Sequence, residues 1–124
     1  MNLHHVALTV KNLSESKDFY EKFFGFKQKK FFEKPDEKAK AVFLECGNTQ
    51  IELWEFIDPL PYQKENLNRI GIRHLAFEVE NLDDFVKKLP EDLVQKPAKI
   101  GASGGKYCFL KDPSGIDIEL YEPN

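Results

Sequence analysis

The sequence predicts an α+β fold made of two copies of a βαβββ module. Three observations support this prediction. Apolar and polar residues alternate with period two in several short segments, two other segments carry helix-start and helix-end signals, and the second half repeats the first. The chain has 124 residues, 41% hydrophobic and 31% charged, which is enough for one domain with its own core.

The first module is expected to span residues 1–60. Period-two alternation predicts its strands. They lie at residues 3–10, 26–33, 39–45 and 49–56. A helix is predicted after the first strand, because Asn12 and Ser14 are N-cap candidates and Gly25 is a suitable residue to end it.

The second module is expected to span residues 70–124, after a proline-containing linker at 57–70. Its predicted elements follow the same order as those of the first module. They are strands at 72–79, 94–100, 107–111 and 116–122, and a helix at 81–89. A glycine-rich loop is predicted at 101–105. Together the two modules are expected to form a single domain over residues 1–124.

The repeat is visible in two separate segments of the sequence. Residues 5–13 match residues 74–82 at five of nine positions, and residues 51–55 match residues 118–122. The two matches have nearly the same offset, so they indicate one duplicated unit. A copy of about 60 residues would be marginal as an independent fold. We therefore expect the two copies, or copies from two chains, to pack together.

Two histidines and two glutamates fall at repeat-equivalent places. Because residues two apart share a face of a strand, all four are expected on the face that the helices leave uncovered. They are His5, Glu52, His74 and Glu119. A lone histidine or glutamate on a strand is more often structural or solvated. Four at equivalent positions favour ligands of one divalent metal per site: Zn, Ni, Co, Mn or Fe.

Other side chains are expected near these four. Trp54 and Tyr121 each lie two residues after a glutamate, so they should line the same cavity. Lys106, at the end of the glycine-rich loop, is a candidate contact for an anionic substrate. His4 has no counterpart in the second half and is expected to point to the face opposite His5.

Several of these segments resemble a known family. The run His5–Val10, the segment Arg73–Phe77 and the turn Asp112–Gly115 are similar to motifs of the vicinal oxygen chelate superfamily, which includes glyoxalase I. The resemblance implies paired βαβββ modules that form a cupped, incomplete β-barrel around a metal site. It also implies a homodimer, and it assigns the role of ligand to the two histidines and two glutamates.

The resemblance further implies a metal-dependent lyase or isomerase like glyoxalase I (lactoylglutathione lyase). Such an enzyme transfers a proton next to a carbonyl through an enediolate or enolate. By the resemblance Glu119 is the base, with Glu52 as the alternative. The substrate would be a small molecule with a carbonyl or vicinal oxygens. A non-catalytic sequestering protein of the bleomycin-resistance type, an epimerase and a dioxygenase remain open alternatives.

Composition argues against other classes of protein. The net charge is −3 and the sequence pI about 5.6, without the basic patch of a nucleic-acid binder. Apolar runs are too short to cross a membrane, and the first residues lack the pattern of a secretory signal. Cys46 and Cys108 are expected to be buried free thiols. These features predict a cytoplasmic protein that binds neither membranes nor nucleic acid.

Overall fold

The computed structural model describes residues 1–62, 68–94 and 97–124. The chain divides into two compact units, Met1–Pro61 and Tyr62–Asn124. Each unit contains a four-stranded sheet and an α-helix in the order βαβββ. The predicted α+β class with two βαβββ modules is therefore confirmed. No helix in the described ranges is long and apolar enough to cross a membrane.

The first unit follows the predicted order of elements. They are β1 (Val6–Thr9), α1 (Leu13–Phe24), β2 (Lys27–Lys34), β3 (Ala39–Cys46) and β4 (Thr49–Phe56). A short 3₁₀ turn links β2 to β3. The sheet order is β1-β4-β3-β2, with β1 parallel to β4 and the other pairs antiparallel.

The second unit repeats this arrangement. Its elements are β5 (Leu75–Glu78), α2 (Leu82–Lys87), β6 (Lys99–Ile100), β7 (Lys106–Lys111) and β8 (Asp117–Glu122). The sheet order is β5-β8-β7-β6, and β5 is parallel to β8. The parallel pair at one edge and the antiparallel pairs beside it thus recur in both units.

Equivalent residues start both helices. The Asn12 side chain accepts a hydrogen bond from the backbone N–H of Glu15, and Asn81 accepts one from Asp84, both at 2.9 Å. Asn12, not Ser14, is therefore the N-cap. Gly25 ends α1 with a φ of 73°, a left-handed conformation that glycine adopts without strain.

A glutamate near the end of the last strand of each unit binds the start of the helix. We call these last strands, β4 and β8, the closing strands. Glu55 Oε1 accepts from the backbone N–H of Leu13 at 2.8 Å, and Glu122 Oε2 accepts from that of Leu82 at 2.7 Å. A carboxylate is favourable there because the helix N-terminus carries unpaired N–H groups and a partial positive charge. These contacts attach each helix to the last strand of its own sheet.

The core of each unit lies between its helix and its sheet. The most buried large side chains alternate along the closing strands: Ile51 and Leu53 in β4, and Ile118 and Leu120 in β8. Their side chains face the helices, as predicted. Alternation along the same strands therefore places the intervening Glu52 and Glu119 on the opposite, helix-free faces.

Several predicted boundaries are wrong by a few residues. The strands predicted at 3–10 and 72–79 begin only at Val6 and Leu75, since each is an edge strand paired on one side over four residues. The strand predicted at 94–100 is reduced to Lys99–Ile100 and an isolated bridge at Val94. Residues 95 and 96, and residues 63–67 of the predicted linker, lie outside the described ranges.

The two cysteines differ in their surroundings. Both are free thiols, but only Cys108 is buried; Cys46 is half-buried and donates a weak hydrogen bond to the Phe24 carbonyl at 3.6 Å. Burial raises the pKa of the Cys108 thiol above its ordinary value. The expectation of two buried thiols is thus confirmed for Cys108 and corrected for Cys46.

Candidate metal centre

In the first unit, strand pairing brings together His5 and Glu52. His5 directly precedes β1, and the parallel register pairs Ala7 with Glu52. His5 Nε2 lies 4.0 Å from Glu52 Oε1, with 34% and 11% of the two side chains exposed. The pair is therefore within reach of solvent, while most of the carboxylate is shielded.

The second unit builds the same pair from His74 and Glu119. His74 directly precedes β5, and Ala76 is paired with Glu119. His74 Nε2 lies 2.8 Å from Glu119 Oε2, and 25% and 15% of the two side chains are exposed. The two halves of the sequence thus place a histidine and a glutamate on equivalent sheet positions.

A phenylalanine lies beside each pair. Phe43 of β3 is in register with Glu52, and Phe109 of β7 is in register with Glu119. The Phe43 ring meets the His5 ring edge to face at 5.0 Å, and Phe109 meets His74 at 5.1 Å. Sequence reasoning missed both phenylalanines. Their signal is their register opposite the glutamates, which requires the strand pairing to be known.

The chemistry of each pair suits a divalent cation. Each provides an imidazole nitrogen and a carboxylate oxygen, donors that Zn, Ni, Co, Mn and Fe(II) accept. Two donors are half of the predicted set of four. Within the part of the chain that the structure describes, no three His, Cys, Asp or Glu side chains are grouped closely enough to hold a metal by themselves. Each unit therefore presents one half of the predicted ligand set.

The aromatic residues two positions after the two glutamates form different hydrogen bonds. The Trp54 indole N–H donates a hydrogen bond to Glu52 Oε1. The equivalent Tyr121 instead exchanges a hydrogen bond with Ser103, with its hydroxyl 2.8 Å from the Ser103 Oγ. Trp54 and Tyr121 therefore occupy equivalent positions but have different hydrogen-bond partners.

Tyr121 attaches the glycine-rich loop to β8. Its hydroxyl lies against Gly105, where a Cβ would overlap the phenol ring and its oxygen. The loop is closed by hydrogen bonds from Gly101 N–H to the Gly105 carbonyl at 2.8 Å and from Gly104 N–H to the Gly101 carbonyl at 3.0 Å. Glycine at position 105 thus permits the contact between Tyr121 and Ser103.

Lys106 begins β7 instead of lying in the glycine-rich loop. Its ammonium group donates to Asp83 Oδ2 of α2 at 2.6 Å, and this hydrogen bond raises the pKa of Lys106 above its ordinary value. Along β7, Lys106 shares the helix-covered face with the buried Cys108, whereas Phe109 lies on the other face. The Lys106 side chain is therefore directed to α2 and away from the helix-free face that carries Glu119.

His4 also differs from the expectation. Its Nδ1 lies 2.7 Å from the Nδ1 of His5, and its ring meets Phe43 at 6.3 Å. The two histidines therefore contact the same phenylalanine instead of pointing to opposite faces. The reason is that β1 begins at Val6, so strand alternation does not govern the two residues before it.

The model of the Glyoxalase/Bleomycin resistance protein/Dioxygenase superfamily matches residues 2–120 of the chain. The chain belongs to this superfamily. Among solved structures, a glyoxalase family protein from Enterococcus faecalis is similar to it, with a TM-score of 0.86, 27% identity and coverage of 98% of this chain and 97% of that one. The resemblance inferred from the sequence motifs is thereby confirmed.

Relatives with named activities include an epimerase and a lyase. The mitochondrial methylmalonyl-CoA epimerase of Dictyostelium discoideum is 34% identical, over 97% of this chain and 77% of its own length. The lactoylglutathione lyase GLX1 of Arabidopsis thaliana is 26% identical, over 95% of this chain but only 43% of its own length. The superfamily thus includes both epimerases and glyoxalase I enzymes.

The link between Tyr121 and Ser103 can be tested by hydrogen exchange. Tyr121→Phe and Ser103→Ala each remove one partner, and a hydrogen bond contributes about 0.5–1.5 kcal/mol, so exchange of the Gly101 and Gly104 amides should accelerate by up to about tenfold in both variants. The Gly115 amide, bonded to Asp112 in another turn, serves as the internal control. Acceleration in only one variant, or in neither, would contradict the link.

Proposed function

We propose that this chain is a metal-dependent enzyme that transfers a proton next to a carbonyl group, in the manner of glyoxalase I-like lyases and isomerases. The observation that carries the proposal is the repeated His–Glu pair, set beside a phenylalanine on the helix-free face of each sheet.

The proposed ligands of the divalent ion are His5, Glu52, His74 and Glu119. Their two imidazoles and two carboxylates fit Zn, Ni, Co, Mn or Fe, and the carboxylates would offset the charge of the ion. When bound, the ion supplies Lewis-acid polarisation of a substrate carbonyl. The two pairs are combined either within one chain or across a homodimer, which we propose as the assembly.

Glu119 is the proposed base. It takes a proton from the hydroxyl-bearing carbon next to the carbonyl and returns it to the carbonyl carbon, while the hydroxyl proton passes to the former carbonyl oxygen, so the carboxylate is regenerated at the end of the reaction. Its contact among the described side chains is His74, which is itself a proposed ligand, whereas Glu52 is bonded to Trp54, which is not. A carboxylate held by a residue outside the ligand set is less able to move with the proton.

A second candidate function is epimerisation of a 2-substituted malonyl-CoA, favoured by the similarity to the Dictyostelium discoideum epimerase. Both candidates begin with removal of a proton next to a carbonyl, but they differ afterwards. Inversion at one carbon returns the proton to the opposite face, whereas a glyoxalase-type reaction returns it to the next carbon. The unequal surroundings of Glu52 and Glu119 favour a single mobile carboxylate. They therefore favour the glyoxalase-type reaction over epimerisation.

The substrate would be a small molecule with a carbonyl or vicinal oxygens. Trp54 and Tyr121, both half-buried, are proposed to limit the access of water to it. We further propose a cytoplasmic location, because both cysteines are free thiols, which a reducing compartment maintains.

Native mass spectrometry can test the ligand set and the assembly together. The purified protein should appear as a dimer of about twice 14.4 kDa with one divalent ion per chain. His74→Ala should form the same dimer but lose most of the metal, because an imidazole ligand is missing. Lys11→Ala, which changes a lysine outside the proposed ligand set, is the control and should keep the metal.

Two results would contradict parts of this proposal separately. Equal metal content in His74→Ala and the wild type would exclude His74 as a ligand. A monomer with full metal occupancy would exclude the homodimer but would leave the ligand set in place.

The reaction can be tested in deuterated water with two substrate classes, hemithioacetals of several thiols and methylmalonyl-CoA. One class should exchange its α-hydrogen, and Glu119→Gln should slow that exchange by about 10²–10⁴, the usual contribution of a general base. Glu21→Gln, which alters a glutamate of α1 that pairs with Lys17 at 3.0 Å, should retain the wild-type rate.

The products distinguish the candidates. A rearranged hydroxy-thioester indicates the glyoxalase type, and an inverted methylmalonyl-CoA indicates the epimerase. Loss of activity in Glu52→Gln with retention in Glu119→Gln would assign the base to Glu52. Tight binding of a compound without any exchange would instead support the sequestering alternative.

A further inference from the structure

We propose that Trp54 is a positioning residue that holds Glu52 as a fixed metal ligand, and that it thereby makes the two repeat-equivalent glutamates functionally unequal. This inference rests on the proposed function, since it concerns the same ligand set. It adds a residue outside the ligand set, Trp54, that keeps Glu52 in place.

The contact is built into strand β4. Trp54 and Glu52 are two residues apart on the helix-free face, and Leu53 between them is fully buried against the helix side. The indole N–H donates to Oε1 of Glu52, the same oxygen that faces His5 Nε2 at 4.0 Å. The donor is therefore held by the backbone next to one of the proposed ligand oxygens.

Two aromatic side chains fix the orientation of the indole. Phe56 stacks on Trp54 with ring centroids 6.0 Å apart and planes at 18°, and Phe32 meets it edge to face at 5.3 Å. The indole has one N–H and no acceptor, so this orientation decides which group it can bind. With the ring held on two sides, the N–H remains directed at Glu52.

The second unit lacks this arrangement. Tyr121, which occupies the position equivalent to Trp54, directs its hydroxyl to Ser103. Among the described side chains, the polar contact of Glu119 is His74. The difference matters because hydrogen-bond partners behind a ligand fix its orientation and tune its affinity for a metal. Glu52 has such a partner in Trp54, and Glu119 has none from Tyr121.

The functional test measures metal affinity without turnover. Trp54→Phe keeps an aromatic ring between Phe32 and Phe56 but removes the N–H. Competition with a chromophoric chelator should show Zn²⁺ binding weakened by about 10–100-fold in this variant, and changed by less than about twofold in the matched Tyr121→Phe. Thermal unfolding of the metal-free variants identifies any loss of affinity that comes from loss of fold.

A second measurement reads the contact itself. Trp54 is the only tryptophan in the sequence, so the metal-free protein gives one indole N–H signal in an ¹⁵N NMR spectrum. Glu52→Ala should move that proton signal upfield, because its hydrogen bond is lost. Glu119→Ala should leave the signal in place.

Each outcome has a defined meaning. Wild-type Zn²⁺ affinity in Trp54→Phe would overturn the positioning role while leaving the proposed function intact. An indole N–H signal that stays in place in Glu52→Ala would have the same meaning. Absence of Zn²⁺ binding by the wild-type protein would overturn both. Weakened binding in Trp54→Phe together with the shifted signal in Glu52→Ala is the result we expect.

Discussion

The parallel pairing of the first and last strands in each unit is the constraint on which the candidate site depends. It aligns Ala7 with Glu52 and Ala76 with Glu119, which brings histidines and glutamates that are far apart in the chain next to each other. A slip of one residue would turn every side chain of the closing strand to the other face. The glutamates would then enter the core, and Ile51, Leu53 and their equivalents would enter the solvent.

Contacts on the helix side hold this register. Glu55 and Glu122 bind the first helical N–H groups, and the backbone N–H groups of Val10 and Val79 donate to the carbonyls of Trp54 and Tyr121. Each closing strand therefore uses one glutamate for the fold and another for the proposed chemistry. The two kinds are three residues apart, so strand alternation places them on opposite faces.

Much of this arrangement could be predicted from the sequence. Alternation along β4 and β8 correctly predicts that Glu52 and Glu119 lie on the helix-free faces. His5 and His74 precede β1 and β5, so their contacts with the glutamates follow from the parallel pairing of the strands. Lys106 shows where this reasoning fails. It was expected in a loop, but β7 begins at Lys106 itself, and alternation then directs its side chain to Asp83 on the helix side. A one-residue error in the strand boundary was enough to misplace this side chain.

Contacts between strands and loops were beyond such reasoning. Phe43 and Phe109 lie beside the histidines only because β3 and β7 pair in one particular register with the closing strands. The different partners of Trp54 and Tyr121 depend on the close approach that Gly105 allows. No pattern in the sequence distinguishes these two aromatic residues, since both lie two positions after a glutamate.

We propose that the two histidines and the two glutamates bind one divalent ion. X-ray absorption spectroscopy of the zinc-loaded protein tests it most directly, because the outer-shell scattering of imidazole counts the histidines bound to each ion. We predict two imidazoles per ion, with oxygen donors completing the coordination. A single imidazole per ion would show that each pair binds its own metal, and it would contradict the shared site.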